Sequence, residues 1–285
     1  DSRNHASPNS AQTEAVMAGA LDVQLAGNAY YFGKLYEKPT IGDAIREIET
    51  EDIRYANRLM YATAILGVII YTYKNCLDFS ANCNPLGTPE SVKQAVRDSL
   101  EYMKDYPQVG YAPLKKAIAE YEGVASESVI CGNGAAELVF SLCQAVKPKK
   151  ALIPVPTFAE YEQALTSCGC EVEHVLLREE EGFSLQDSFI NWLHRDLDMV
   201  FLCNPNNPTG ISIDREFLFR VLRVCREMDI LLVVDECFLD FMEEPGRYTL
   251  KAQLSRYHNL FLLKAFTKRY AMAGIRLGYG ITENT

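Results

Sequence analysis

The sequence predicts an α/β protein whose main body is a mostly parallel, doubly wound sheet. Two observations carry that expectation. Four short apolar runs, at residues 151–155 (ALIPV), 199–203 (MVFLC), 230–234 (ILLVV) and 260–263 (LFLL), are unbroken and rich in branched side chains. Strands buried on both faces of a parallel sheet have this texture, because neither face meets water. Helical stretches separate the runs, as at 137–145 and 214–228, so right-handed βαβ crossovers are the natural connection.

At 285 residues and 48% hydrophobic content the chain can bury a large core and a smaller second segment. A net charge of −10 without any Lys/Arg block argues against nucleic acid, which needs clustered positive charge. The nine cysteines show no paired CxxC spacing, and Cys168 and Cys170 are too close in sequence for a zinc knuckle. They read as reduced thiols. The four histidines are dispersed, and no metal site is expected. The sequence opens on Asp1 with no charged stretch followed by an apolar one, so no secretory signal is visible and the chain reads as a piece of a longer one.

Taken in order, the first part, residues 1–75, is expected to be a helical segment and differs in texture from the rest. It alternates small and polar residues up to position 58 and then runs LMYATAILGVIIYTY, residues 59–73, without a charge. Fifteen apolar residues are short for a bilayer span of roughly 20, and the length fits either a membrane segment or a buried core helix. Arg58 and Lys74 bracket the run as snorkelling flanks would. The second part, residues 76–285, carries the strand, loop and helix repeat.

Ligands of open parallel sheets bind beyond the carboxyl ends of the strands, so the residues following each run deserve most weight. MVFLC is followed by NPNNPTG (204–210), ILLVV by DECFLDF (235–241), and LFLL by KAFTKRYAMAGIRLGYG (264–280). Singly these read as a tight loop, a helix cap and surface charges. Their joint occurrence at successive strand ends argues for a site. GNGAAE (132–137) precedes an apolar helix whose free N–H groups suit a phosphate.

These motifs resemble those of the pyridoxal-phosphate enzymes of fold type I, over about residues 77–280. The resemblance implies pyridoxal 5′-phosphate as cofactor and Lys268 as the Schiff-base lysine. It implies that Arg276 pairs with the cofactor phosphate, a bidentate match, beside a cradle of Gly134, Ala135 and Ala136. Asp235 matches the carboxylate that keeps the pyridine nitrogen protonated, and Asn207 the amide that bonds the ring hydroxyl. Phe158 matches the aromatic stacked on the ring. Tyr106 matches the tyrosine that reaches the neighbouring subunit's phosphate, so a homodimer is implied. Ala265 stands where the family often has a hydroxyl residue, and Thr267 is the candidate to compensate.

The wording of residues 77–96, 196–210 and 235–241 resembles the threonine-phosphate decarboxylase family of cobalamin biosynthesis more than histidinol-phosphate aminotransferases. Phe238, three residues after Asp235, fits that choice, since many aminotransferases place a tyrosine there and Phe cannot donate its hydrogen bond. The implied reaction converts L-threonine O-3-phosphate to (R)-1-amino-2-propanol O-2-phosphate. Asn82 and Asn84 are candidate substrate contacts, with a plain turn before Pro85 as the alternative.

Residues 7–43 with the apolar run resemble the carboxyl-terminal part of adenosylcobinamide-phosphate synthase, a membrane protein of the same pathway. That resemblance implies a cytoplasmic catalytic domain tethered to the inner face of the cell membrane through residues 59–73. The fold-type-I pattern implies a small carboxyl-terminal domain, with the arginine that grips the substrate carboxylate, beyond Thr285. Catalysis by this chain alone is therefore expected to be impaired. The rival readings are an aminotransferase of the histidinol-phosphate type and a non-catalytic membrane-associated fragment.

Overall fold

The computed structural model describes residues 16–26, 29–31, 34–36, 40–72 and 82–283, with the backbone alone at 26, 29–31, 34–36 and 64–72. It divides into two compact units, Asp1–Ser80 and Ala81–Thr285.

The first unit is not purely helical. Residues 16–21 are helical, Leu25–Ala26 pairs antiparallel with Thr40–Ile41, and Ala29–Tyr31 pairs with Lys34–Tyr36. Ala18 and Ile41 are its buried centre, with Leu25 packed against them. The apolar run lies on a 23-residue helix, Thr50–Thr72, whose first turn carries Glu51 and Asp52. Asp52 takes both guanidinium nitrogens of Arg46, and those hydrogen bonds hold its carboxyl down at about 2. Among the described residues no helix is long and apolar enough to cross a membrane. The charged turns at the start of this helix leave too short an apolar length. Tyr73, Lys74 and residues 77–81 of the early motif lie outside the described residues.

The second unit is built on seven strands: β1 (Val129–Asn133), β2 (Lys150–Val155), β3 (Glu171–Leu176), β4 (Met199–Cys203), β5 (Leu231–Asp235), β6 (Leu260–Ala265) and β7 (Leu277–Ile281). Their order is β1-β7-β6-β5-β4-β2-β3. The pairs from β6 to β3 are parallel, and β7 runs antiparallel to both neighbours. The sheet is thus mostly parallel, as the apolar runs predict, with one reversed strand that they do not.

Alternate residues along each central strand face opposite layers. Val200, Leu202, Leu232, Val234, Leu260 and Leu262 pack under a helix, Arg215–Glu227, through Phe217, Leu218, Val221, Leu222 and Cys225. Met199, Phe201, Val233, Phe261 and Leu263 meet the other layer, formed by Ala135–Val146 and Glu160–Ser167. The first of those helices is α1, the second α2, and Arg215–Glu227 is α3. Asp214 caps α3 by accepting from the Glu216 and Phe217 N–H groups, which fixes where the crossover begins.

Candidate active site

The parallel strands deliver their ends to one edge of the sheet. Cys203, Asp235 and Ala265 are the last residues of β4, β5 and β6. The reversed β7 begins at that same edge, because Leu277 is in register with Asn133 at the end of β1. Arg276 precedes it directly, with its backbone in the left-handed region at φ 59°.

A cavity of about 280 Å³ opens there, lined by Ala135, Ala136, Phe158, Glu160, Tyr161, Cys203, Asn207, Asp235, Cys237, Phe238, Ala265, Thr267, Lys268 and Arg276. The residues singled out from the sequence that meet on it are Ala135, Ala136, Phe158, Asn207, Asp235, Thr267, Lys268 and Arg276. Gly134 stands at the N-cap of α1 with φ 87°. A Cβ on it would come within 2.7 Å of Arg276 Nη2, so the guanidinium lies against the bare backbone at the amino end of the helix. A helix start and a cation converge there on a place suited to an anion.

Asp235 is 5% exposed. The Tyr161 hydroxyl donates to its Oδ2 at 2.6 Å and the Cys237 N–H to its Oδ1 at 2.9 Å. Burial, and then the Asp235 charge, push the Tyr161 phenol well above its ordinary value, so it stays a donor. Burial likewise pushes the Cys203 thiol up to about 12 and the Cys237 thiol well above its usual range. Both thiols remain protonated near neutrality. Lys268 Nζ sits 5.3 Å from the centroid of the Phe238 ring.

Of the asparagines in NPNNPTG, two are spent on tying the loop to its neighbours. Asn204 exchanges hydrogen bonds with Ile213 and donates to Tyr248 O at 2.7 Å. Asn206 donates to Pro156 O and accepts from Thr157 Oγ1. Asn207 makes no such bond among the described residues and faces the cavity.

The other three candidates are not on this wall. Asn82 lines an adjoining cavity of about 400 Å³ that shares Asn207 and Phe238. Asn84 donates to Arg269 O at 2.9 Å and accepts from the Leu86 N–H at 3.0 Å, so its amide braces the turn and the segment after Lys268. Tyr106 is 99% exposed. Glu160, Tyr161, Cys203 and Cys237 escaped the sequence reading. Tyr161 was accessible to it: it shares a helical stripe with Ala164 and Leu165, and a tyrosine in a buried stripe must find a partner for its hydroxyl.

The family described as aminotransferase class I and II matches residues 74–285, and the one described as CobD/Cbib protein matches residues 1–60. The chain is 39% identical over 230 residues to a threonine-phosphate decarboxylase of Salmonella typhimurium, which covers 81% of this chain and 62% of that protein. It is 35% identical over 213 residues to the adenosylcobalamin biosynthesis bifunctional protein CobDQ of Leptospira interrogans, covering 72% and 24%. The crystal structure of a histidinol-phosphate aminotransferase from Clostridium acetobutylicum superposes with a TM-score of 0.67 at 35% identity, covering 73% of this chain and 61% of that one. The chain therefore spans less than two thirds of the length of these relatives.

Proposed function

Since the chain belongs to the aminotransferase class I and II family, whose cofactor is pyridoxal 5′-phosphate, we propose that it serves the decarboxylation of L-threonine O-3-phosphate to (R)-1-amino-2-propanol O-2-phosphate in cobalamin biosynthesis. The observation that carries this reading is the single cavity on which Asn207, Asp235, Lys268 and Arg276 converge from the three segments that follow the central strands. The lining suits the cofactor along its whole length. Arg276 and the N–H groups at Gly134, Ala135 and Ala136 would hold the phosphate, with Thr267 beside them. Asp235, fixed by Tyr161 and Cys237, would hold a proton on the ring nitrogen, and Asn207 would bond the ring hydroxyl. Phe158 would cover one face and exclude water.

Bound in this way, the cofactor supplies an electron sink for the pair released when a bond to the substrate Cα breaks. Lys268 is the group placed to accept and return a proton at its Nζ. Phe238 presents a ring where a tyrosine hydroxyl would add a second donor, a difference that favours the decarboxylase over the aminotransferase reading. Asn82, in the adjoining cavity, is the candidate for contact with the rest of the substrate, with Asn84 bracing the turn beside it.

We take residues 1–75 as the CobD/Cbib-like part and 76–285 as the large domain, in line with the match from residue 74 and the compact unit from Ala81. Membrane association through residues 59–73 is part of this reading, with the CobD/Cbib similarity of residues 1–60 as its support. A second copy of the chain is the partner that the exposed Tyr106 would reach.

The histidinol-phosphate type of aminotransferase is the second reading, favoured by the 35% identity to the Clostridium structure. The two separate in one assay. The full-length gene product, saturated with cofactor, is given L-threonine phosphate labelled at the carboxyl carbon, with and without 2-oxoglutarate. Labelled carbon dioxide released without acceptor, and lost in Lys268→Ala, is the expected result. Retained label with acceptor-dependent keto acid would move the protein to the aminotransferases.

A further inference from the structure

One side chain on the cavity wall has no part in the reading above. Glu160 is the first residue of α2, two positions after Phe158 and one before Tyr161. It lines the cavity together with Phe158, Tyr161 and Asp235. Its Oε2 is buried and has no hydrogen-bond partner among the described residues. An acidic residue in a first helical turn is electrostatically tolerated, since the helix dipole is positive there. That explains the charge but not the orphaned oxygen. A buried carboxylate oxygen without a donor is destabilising, and the deficit is removed by an occupant that brings one.

The occupant's chemistry selects the donor. The anion place at Gly134 and Arg276 receives a phosphate, which offers only acceptors and would repel a carboxylate. The opposite end of the cofactor offers a protonated ring nitrogen. Asp235 already accepts one hydrogen bond on each oxygen, from Tyr161 and from Cys237. Glu160 directly precedes that same Tyr161 in the helix.

We propose that Glu160 is a positioning residue for the bound pyridoxal phosphate, its free oxygen accepting a hydrogen bond at the ring-nitrogen end through one water while the single ring N–H stays with Asp235. Two carboxylates, rather than Asp235 alone, then hold positive charge on the ring. The inference rests on the cofactor reading above and deepens it. Its consequence is tighter cofactor binding and a ring proton retained to higher pH.

The test uses the 285-residue protein and its Glu160→Gln and Glu160→Ala variants, with far-ultraviolet circular dichroism to verify folding. Pyridoxal phosphate is titrated into each and followed by the visible absorbance of the bound cofactor, and the absorbance is then followed against pH. Both variants are expected to bind the cofactor more weakly, on the order of tenfold, with the absorbance midpoint moved to lower pH. Variants that bind as tightly as the wild type or tighter, with an unmoved midpoint, overturn the role of Glu160 and leave the cofactor site standing. A wild-type protein that binds no pyridoxal phosphate overturns the cofactor reading itself.

Discussion

Asp235 and Glu236 are consecutive acidic residues with opposite surroundings. Asp235 faces the cavity with both oxygens engaged, whereas Glu236 turns to the other side, where Thr249 donates to it at 2.7 Å and Lys264 Nζ lies 3.9 Å away. Lys264 in turn pairs with Glu122 at 2.9 Å, and Lys251 and the Tyr279 hydroxyl complete that carboxylate's shell. Burial works against the charge of Lys264, but Glu236 and Glu122 outweigh it and raise its pKa. Glu122 is held below the ordinary range, burial being overcome by Lys264. Glu236 gains too little compensation, and burial pushes it up to about 7. Because its folded pKa is raised, the stability it contributes is full below about 4.5 and is lost as pH rises through about 7. The loss amounts to up to about 3 kcal/mol. Glu122 acts in the opposite sense and below that window. Urea unfolding of the apoprotein at about pH 5 and about pH 8 should show the wild type weakening and Glu236→Gln nearly level. An equal pH dependence in the two proteins would sink this account.

At the scale of elements, the contact between β7 and α1 shapes the anion cradle. A Cβ on Gly278 would meet Ala135 N at 2.4 Å, so the strand can approach the helix start only because this residue has no side chain. Gly278→Ala should push the two apart, costing about 1–3 kcal/mol by overpacking. Cofactor affinity, read by absorbance titration, should fall with it. Stability lost with affinity intact would show that the cradle does not depend on that contact. The same strand illustrates what periodicity misses. β1 (VICGN) and β7 (LGYGI) carry glycines where a strand pattern expects branched residues, because the close packing of α1 and of Phe261 removes space for side chains. β3 (EVEHVL) is an edge strand wet on one side, so polar residues interrupt it. The central strands were legible because they are dry on both faces.

For the whole molecule, five exposed apolar side chains of the second unit lie close together in sequence. Leu100, Tyr102, Met103, Tyr106 and Val109 are each more than half exposed, and Tyr106 reaches 99%. Such a stretch suits a contact with a second copy, as proposed for Tyr106. Sedimentation of the purified protein should reveal a dimer, and Met103→Asp combined with Tyr106→Asp should return it to a monomer. A wild-type protein that sediments as a monomer at every concentration would remove this reading.

The sequence by itself determined the class of fold and the order in which the chemistry-bearing segments follow the strands. Both are local properties: a run dry on both faces is apolar throughout, and Asp235, Asn207, Lys268 and Arg276 each lie within a recognisable string of neighbours. Tertiary structure alone decided what each group faces. It showed that two of three asparagines are consumed in tying their loop to neighbouring segments, that Asn84 braces a turn, and that β7 is reversed so that Arg276 meets Gly134. It also revealed the Tyr161 bond to Asp235 across 74 residues and the unpartnered oxygen of Glu160. Such facts depend on contacts between segments remote in sequence, and hydrogen-bond satisfaction is a property of the assembled interior that no window of neighbouring residues contains.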